Sequence, residues 1–160
     1  MGVIIWNTKN KHLVHKEAIR LVIQSLPGSV DMDSVAGYYS PYDVEWRNIK
    51  ILVRVARPSK KSSQKRAKWF YTLRKKDHQV ADYFVLFALV GNKVGAVYVL
   101  PKVFVPAVFI TITKLDGNIR YDYFKTDLPD LAEKIKKVQV NLPKLIQIHR
   151  KAKILKGGEQ

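Results

Sequence analysis

Residues 42–57, YDVEWRNIKILVRVAR, carry the pattern that decides the fold. Branched apolar side chains recur at every second position from Ile49 to Val55, with Lys50, Leu52, Arg54 and Ala56 between and after them, and a period of two is typical of a β-strand. A shorter run, Tyr42–Trp46, precedes it, and only Arg47 and Asn48 lie between the two runs. We therefore predict two strands that form a hairpin with its turn at Arg47-Asn48.

The rest of the chain supplies a helix before this hairpin and further strands and helices after it. Apolar positions at helical spacing predict a first helix within Thr8–Leu26, ended by Pro27-Gly28. Later strands are predicted at 69–73, 83–90, 96–100, 108–113 and 120–124, with hairpin turns at 91–93 and 116–118 and a polar linker around Asp77. Two further helices are predicted at 128–138 and 145–155, on either side of Pro143.

This order of elements shows no internal repeat and no domain boundary, and it indicates one domain over residues 1–160. The expected fold class is α/β, an α+β sandwich in which helices flank a mixed central β-sheet. The nearly continuous apolar character of residues 83–90 predicts a strand that is buried on both faces.

The chain is strongly basic, with 29 Lys and Arg against 13 Asp and Glu and a formal charge of +16. Such a charge destabilises the compact state by self-repulsion unless a polyanion neutralises it. Twelve basic residues and no acidic one lie between Arg47 and Lys76, and eight more without a carboxylate lie between Lys134 and Lys156. Because exposed faces usually intersperse both signs, these tracts favour a nucleic acid as the partner. The alternatives are an anionic membrane surface and no specific polyanion, in which case the lysines serve solubility alone.

The first basic tract contains a Ser- and Lys-rich loop, residues 58–68 (PSKKSSQKRAK), that has no apolar periodicity. We expect the loop and its neighbours to contact phosphates through Arg57, Lys60, Lys61, Lys65, Arg66, Lys68, Arg74, Lys75 and Lys76. Strand alternation places Trp69 and Tyr71 on one face, which predicts core packing, with base stacking as the alternative for the group Trp69-Phe70-Tyr71. The second tract predicts a basic amphipathic helix over 143–156, suited to duplex contact, a membrane surface or self-association.

Several classes of site are excluded by residue type. The sequence has no cysteine, which removes disulfides, thiolate catalysis and cysteine-ligated zinc, and its four histidines lack the spacing of a zinc site. The turn GNKVG at 91–95 lacks the Gly-Lys-Ser/Thr of a phosphate loop. No signal-peptide pattern and no apolar run near ~20 residues occurs, so we expect a cytoplasmic protein without a membrane segment.

The order of the predicted elements resembles the restriction-endonuclease-like PD-(D/E)xK superfamily, including its Holliday-junction resolvases and small homing endonucleases. The resemblance is carried by the first helix, then Tyr42-Asp43-Val44, then the strand beginning at Ile51 and the strand beginning at Tyr83. Over residues 8 to 125 the resemblance implies a nuclease fold in which carboxylates hold one or two divalent ions, Mg²⁺ or Mn²⁺, while a lysine helps orient the attacking water. Glu17 matches the acid of the helix and Asp43 the aspartate of the strand. These two are the implied metal ligands and, with Arg54, the candidate catalytic residues.

The next strand departs from the superfamily pattern. Leu52 stands where an acidic residue or glutamine is expected, and Arg54 stands where lysine is expected. Leucine cannot ligate a metal, and arginine does not deprotonate in proteins. Glu45 lies two residues after Asp43, hence on the same strand face, and could supply the missing carboxylate. The departure predicts a catalytic centre that is degenerate or relocated.

Glu17 and Asp43 each have a structural alternative. Glu17 lies among the apolar neighbours Leu13 and Leu21 on the helix, where a carboxylate needs a partner. It could form a buried ion pair with Arg54, bind a metal, or lie at the rim without a role. Asp43 could instead cap the turn after Pro41.

Three functions are compatible with these features. The first is a nucleic-acid-binding protein on an endonuclease-like scaffold, which binds duplex or branched DNA with a degenerate centre and no cofactor. The second is an active metal-dependent DNA endonuclease with relocated carboxylates. The third is a structural RNA-binding protein, for which a charge of +16 is equally natural. The resemblance also implies a homodimer, since cutting two strands requires two active sites.

Overall fold

The computed structural model describes residues 6–36, 40–59, 67–106 and 108–158, of which residue 36 and residues 152–158 are described by their main chain. The helices in these ranges are α1 (Lys11–Ser25), α2 (Met32–Ala36), α3 (Lys75–Val80) and α4 (Leu131–Gly158). The strands are β1 (Val30–Asp31), β2 (Val44–Trp46), β3 (Ile49–Ala56), β4 (Pro58–Ser59), β5 (Lys68–Thr72), β6 (Tyr83–Val90), β7 (Lys93–Pro101), β8 (Phe109–Ile112) and β9 (Lys125–Thr126).

The central sheet has six strands in the order β1-β2-β3-β6-β7-β9. Strands β3 and β6 run parallel, and the other neighbours in this sheet run antiparallel. Helix α1 packs against β3 and helix α4 against β7. This arrangement confirms the predicted fold class, a mixed sheet flanked by helices.

The hairpin predicted from residues 42–57 is present. Trp46 pairs with Ile49, and the two turn residues, Arg47 and Asn48, have φ values of 50° and 66°. Positive φ at both central residues is the conformation of the two-residue turns that match the twist of a hairpin. The prediction for β6 also holds, because residues 83–89 are all buried.

A second, three-stranded sheet has the order β4-β5-β8 and is antiparallel. On β5, Trp69 and Tyr71 are buried, and each donates a hydrogen bond to a main-chain carbonyl of β6: Trp69 Nε1 to Leu89 at 2.8 Å and Tyr71 OH to Phe87 at 2.9 Å. These bonds satisfy the polar ends of the two rings, which confirms the core-packing prediction for this face.

The hairpin predicted around residues 116–118 is wrong. Gly117 does turn the chain, with φ of 68°, but residues 122–124 form a 3₁₀ turn instead of a strand, and β8 pairs with β5. The buried side chains there are Tyr121 and Phe124. Their spacing of three is that of a helical turn, whereas a half-buried strand requires a spacing of two.

Two predictions about helices also need correction. The polar linker around Asp77 is helix α3, whose start is held by the Asp77 carboxylate, which accepts from the main-chain N–H of Arg74. The two helices predicted on either side of Pro143 are one continuous helix, α4. A proline inside a helix removes one hydrogen bond, but Leu145, beyond it, still packs against the core and favours continuing the helix.

Candidate nucleic-acid interface and carboxylate cluster

The side chain of Asp43 is fixed against β3. Its main-chain N–H donates to the carbonyl of Ile51 at 3.0 Å, and its Oδ2 accepts from the main-chain N–H of Val53 at 2.7 Å. The same Oδ2 lies 3.5 Å from Nη1 of Arg54 and 3.5 Å from Nε2 of His15. Asp43 therefore connects the start of β2, strand β3 and helix α1 through one carboxylate oxygen.

Arg54 links Asp43 to a second buried carboxylate. Its Nη2 donates to Asp77 Oδ2 at 3.2 Å, and its Nη1 donates to the carbonyl of Val53 at 2.9 Å. The guanidinium is planar and always charged, so it places a fixed positive charge against both carboxylates. We refer to Asp43, Arg54, Asp77, Arg74 and His15 as the carboxylate cluster.

Asp77 is the most deeply placed member of this cluster, with a side chain that is fully buried. Burial raises the pKa of its carboxyl, but the hydrogen bonds from Arg74 and the charge of Arg54 outweigh burial and lower the pKa below its ordinary value. Arg74 supplies two of these bonds from its side chain, Nε to Oδ2 and Nη2 to Oδ1, both at 3.0 Å. Asp77 is thus an ionised, fully paired group at the bottom of the cluster.

The ion pair considered between Glu17 and Arg54 is wrong. Glu17 is buried, so it is not at a rim, and its two carboxylate oxygens accept from the guanidinium of Arg20, with Nε at 2.9 Å from Oε2. Arg20 lies three residues later on α1, where side chains are direct neighbours. Arg54 meets Asp43 and Asp77 instead.

Asp43, an implied metal ligand, and Glu45, the candidate for the missing carboxylate, have different surroundings. Glu45 is half-buried on β2 and accepts a hydrogen bond from the hydroxyl of Tyr42 at 3.1 Å, while Asp43 is engaged by His15, Val53 and Arg54. In the residues that the structure describes, no group of three or more His, Asp or Glu side chains is placed to hold a metal ion. The Mg²⁺ or Mn²⁺ site implied by the resemblance does not fit these residues, because a guanidinium cation lies against the carboxylate oxygen that would ligate it.

His15 was not among the predicted site residues, yet it lies in the cluster. Its Nε2 is 3.0 Å from the carbonyl oxygen of Val53, which can only accept, so Nε2 carries the proton. Burial lowers the pKa of His15, but the hydrogen bond and charge of Asp43 outweigh burial, and the pKa lies above 6.5.

We expect Asp43→Asn to lower the pKa of His15, because the substitution removes the charge that stabilises the imidazolium. A folded-state pKa above the unfolded one means that the stabilisation from His15 is fully present below about pH 6.5 and is lost as the pH rises through the folded-state pKa. An NMR titration of the imidazole measures this change, with Asp130→Asn at an exposed turn as the control. An unchanged His15 pKa in Asp43→Asn would contradict the conclusion that Asp43 raises the pKa of His15.

A cleft of about 620 Å³ opens beside the carboxylate cluster. Its basic lining residues come from the start of α1 and from β3 and its end: Lys9, Lys11, His15, Arg54 and Arg57. Among the described residues that line it there is no Asp or Glu. The cleft is therefore a positively charged groove that borders the cluster through His15 and Arg54, and such a groove attracts a polyanion.

The predicted phosphate-binding residues fall into three groups. Arg57 lines the cleft, and its guanidinium also donates to the carbonyls of Trp6 and Thr8, which fastens the segment before α1 to the end of β3. Lys68 lies on β5, and Arg74, Lys75 and Lys76 lie on and before α3, where Arg74 is 61% exposed although it pairs with Asp77. The remaining predictions fall outside the described residues: Lys60, Lys61, Lys65 and Arg66.

Sequence reasoning missed Lys9, Lys11, His15 and Asp77. A signal for Asp77 was available, since it is the first carboxylate after a tract of twelve basic residues and so is the natural partner of nearby arginines. The lysines and the histidine had no such signal, because their proximity to β3 depends on how α1 packs.

With its mixed six-stranded sheet, second sheet and flanking helices, the chain has an endonuclease-like fold. It is similar to the solved structure of a bacterial homing endonuclease, I-Ssp6803I, with a TM-score of 0.50 and 16% sequence identity over 90% of this chain and 99% of that one. No protein-family profile and no curated protein sequence matches the chain. In the described residues no helix is long and apolar enough to cross a membrane.

Proposed function

We propose that this chain is a DNA-binding protein on an endonuclease-like scaffold of the PD-(D/E)xK type, and that its catalytic centre is degenerate. One observation carries the proposal: the guanidinium of Arg54 lies against Asp43, the carboxylate that the superfamily resemblance assigns to the metal, and also bonds the buried Asp77. The guanidinium of Arg54 lies 3.5 Å from the carboxylate oxygen of Asp43. This fixed positive charge would repel a divalent cation at Asp43 and so disfavours its binding. In this proposal the carboxylate cluster stabilises the fold, and its member Arg54 contributes to the positive charge of the cleft.

The binding surface in this proposal is the basic cleft together with the basic residues beyond it. Lys9, Lys11 and Arg57 would contact the phosphates nearest the cluster. The basic residues of the segment between β4 and β5, with Lys68 on β5 and the α3 residues Lys75 and Lys76, would extend the contact. Contacts of this kind fix the position of DNA without reading its sequence. A homodimer is also proposed, on the resemblance alone, and sedimentation of the protein with and without DNA tests it.

We expect the protein to bind a four-way DNA junction or supercoiled plasmid without cutting it, in manganese and in EDTA alike. Purified protein is incubated with both substrates, and shifted complexes and nicked products are measured on gels. Asp43→Asn is the matched variant, since it keeps the shape of the side chain and removes the charge. Stable complexes without nicking support the proposal, whereas nicking that is lost in both EDTA and Asp43→Asn would replace it by an active endonuclease.

Burial and the charges of Asp43 and Asp31 raise the pKa of Asp33. Among the described residues, however, no group of three or more His, Asp or Glu side chains is placed to hold a metal ion, so Asp33 does not favour the active alternative. For a structural RNA-binding protein the discriminating measurement is competition: a folded RNA that displaces the DNA junction at a lower concentration than unlabelled junction would favour RNA as the partner.

A further inference from the structure

Two phenylalanines form an exposed aromatic pair on the outer face of the second sheet. Phe70 on β5 is 52% exposed and Phe109 on β8 is 48% exposed, and their rings are stacked with centroids 5.2 Å apart and planes 15° apart. Their strand neighbours point the other way, into the core. The outer face of this small sheet therefore presents two half-exposed aromatic rings to solvent, each stacked on the other.

Pairing within the sheet explains only part of this arrangement. Thr72 is the direct cross-strand partner of Phe109, and Phe70 is that of Thr111, so the two rings are diagonal neighbours. Diagonal aromatic contacts help to hold two strands together. They do not require half of each ring to stay in water, and both rings keep exposed surface that a ligand can contact.

The position of Phe70 indicates what the exposed ring binds. Phe70 and Thr72 line the same cleft as Lys9, Lys11, Arg54 and Arg57. A basic groove with an aromatic face at its edge matches a strand of nucleic acid whose phosphates meet the cations and whose bases meet the ring. In a continuous duplex the faces of the bases are covered by their neighbours in the stack, so the ring requires a base that is unpaired and unstacked.

We propose that Phe70, supported by Phe109, is the stacking site for an unpaired base of a DNA strand that lies in the basic cleft. The preferred ligand is then a fork or flap in which duplex and single strand meet, with the single-stranded part in the cleft. This inference rests on the proposed DNA-binding function and adds to it the structural class of the DNA.

Fluorescence anisotropy with three labelled DNAs of equal length tests the inference: a duplex, a fork with unpaired arms and a single strand. We expect the fork to bind more tightly than the duplex, and Phe70→Ala to weaken fork and single-strand binding by about tenfold or more while duplex binding changes less than about twofold. Phe70→Trp, which keeps a π face, is expected to retain fork affinity. Phe70→Leu, which is apolar without a π face, is expected to lose it.

Ile119→Ala is the matched control, because Ile119 is fully exposed and lines a different cavity beside α4. Thermal unfolding of each variant verifies that the sheet is intact. Equal affinity of wild type for fork and duplex, or an equal loss of both in Phe70→Ala, would overturn the stacking site while the DNA-binding function stands. Absence of binding to all three DNAs would overturn the proposed function itself, and with it this inference.

Discussion

Asp77→Ala is expected to lower the free energy of unfolding by about 3–5 kcal/mol, the range found when one partner of a buried ion pair is removed. Asp77 is fully buried and accepts hydrogen bonds from Arg54, from the side chain of Arg74 and from the main-chain N–H of Arg74. Without it, Arg54 keeps its bond to the Val53 carbonyl, but its one remaining carboxylate contact is the longer one to Asp43, and the main-chain N–H of Arg74 at the start of α3 loses its acceptor. Urea unfolding, followed by circular dichroism, measures the change.

Asp116→Ala is the matched control for this experiment. Asp116 also forms an ion pair, with Lys125 Nζ at 2.6 Å, a shorter distance than that between Arg54 and Asp77. Its side chain is 94% exposed, so water and salt screen the pair and its loss is expected to change stability little. An Asp77→Ala variant as stable as Asp116→Ala would mean that the carboxylate cluster does not support the fold.

The effect of Asp77 also has a defined pH dependence. Because its folded-state pKa is lower than the ordinary value of 3.8, the stabilisation from Asp77 is present above about pH 4 and is lost as the pH falls through the folded-state pKa. The difference in free energy of unfolding between wild type and Asp77→Ala is therefore expected to shrink in acid. A difference that stays constant from pH 7 to pH 2 would contradict an ionised Asp77.

The double variant Lys9→Ala/Lys11→Ala is expected to bind DNA about 10- to 60-fold more weakly at 0.1 M salt, and to lower the slope of log affinity against log salt by about 1.8. Both lysines are exposed and line the cleft beside Arg54. Each lysine that neutralises one phosphate releases about 0.9 of a counterion from a duplex, so two lost contacts change the slope by twice that amount. Titrations at several salt concentrations give both quantities.

Lys114→Ala/Lys136→Ala removes the same charge from exposed lysines that do not line the cleft. This control variant is expected to keep a slope within about 0.5 of wild type, since more distant charges are screened over about 10 Å at this ionic strength. If both double variants lose affinity equally, net charge and not the cleft governs binding.

Local pattern was sufficient for the elements closest to the site. The hairpin of residues 42–57, the doubly buried strand 83–90 and the inward face of Trp69 and Tyr71 follow from a period of two and from turn residues, which act over a few positions of the chain. The prediction of a strand at 120–124 was wrong. Its two buried aromatic residues, Tyr121 and Phe124, are three positions apart, which is the spacing of a helical turn and not of a strand. The ion pair between Glu17 and Arg20 could also have been predicted, because side chains three residues apart on a helix are neighbours.

By itself, the sequence determined the α/β class, the hairpin that carries Asp43 and Arg54, and a charge of +16 that favours a polyanionic partner. Only the tertiary structure decided which charges meet. Arg54 bridges Asp43 and Asp77 because β2, β3 and α3 converge there, and Lys9, Lys11, Arg57 and Phe70 share one cleft because α1 and β5 flank the end of β3. Periodicity specifies which face of an element is buried, but an ion pair or a groove between elements far apart in sequence depends on how those faces pack.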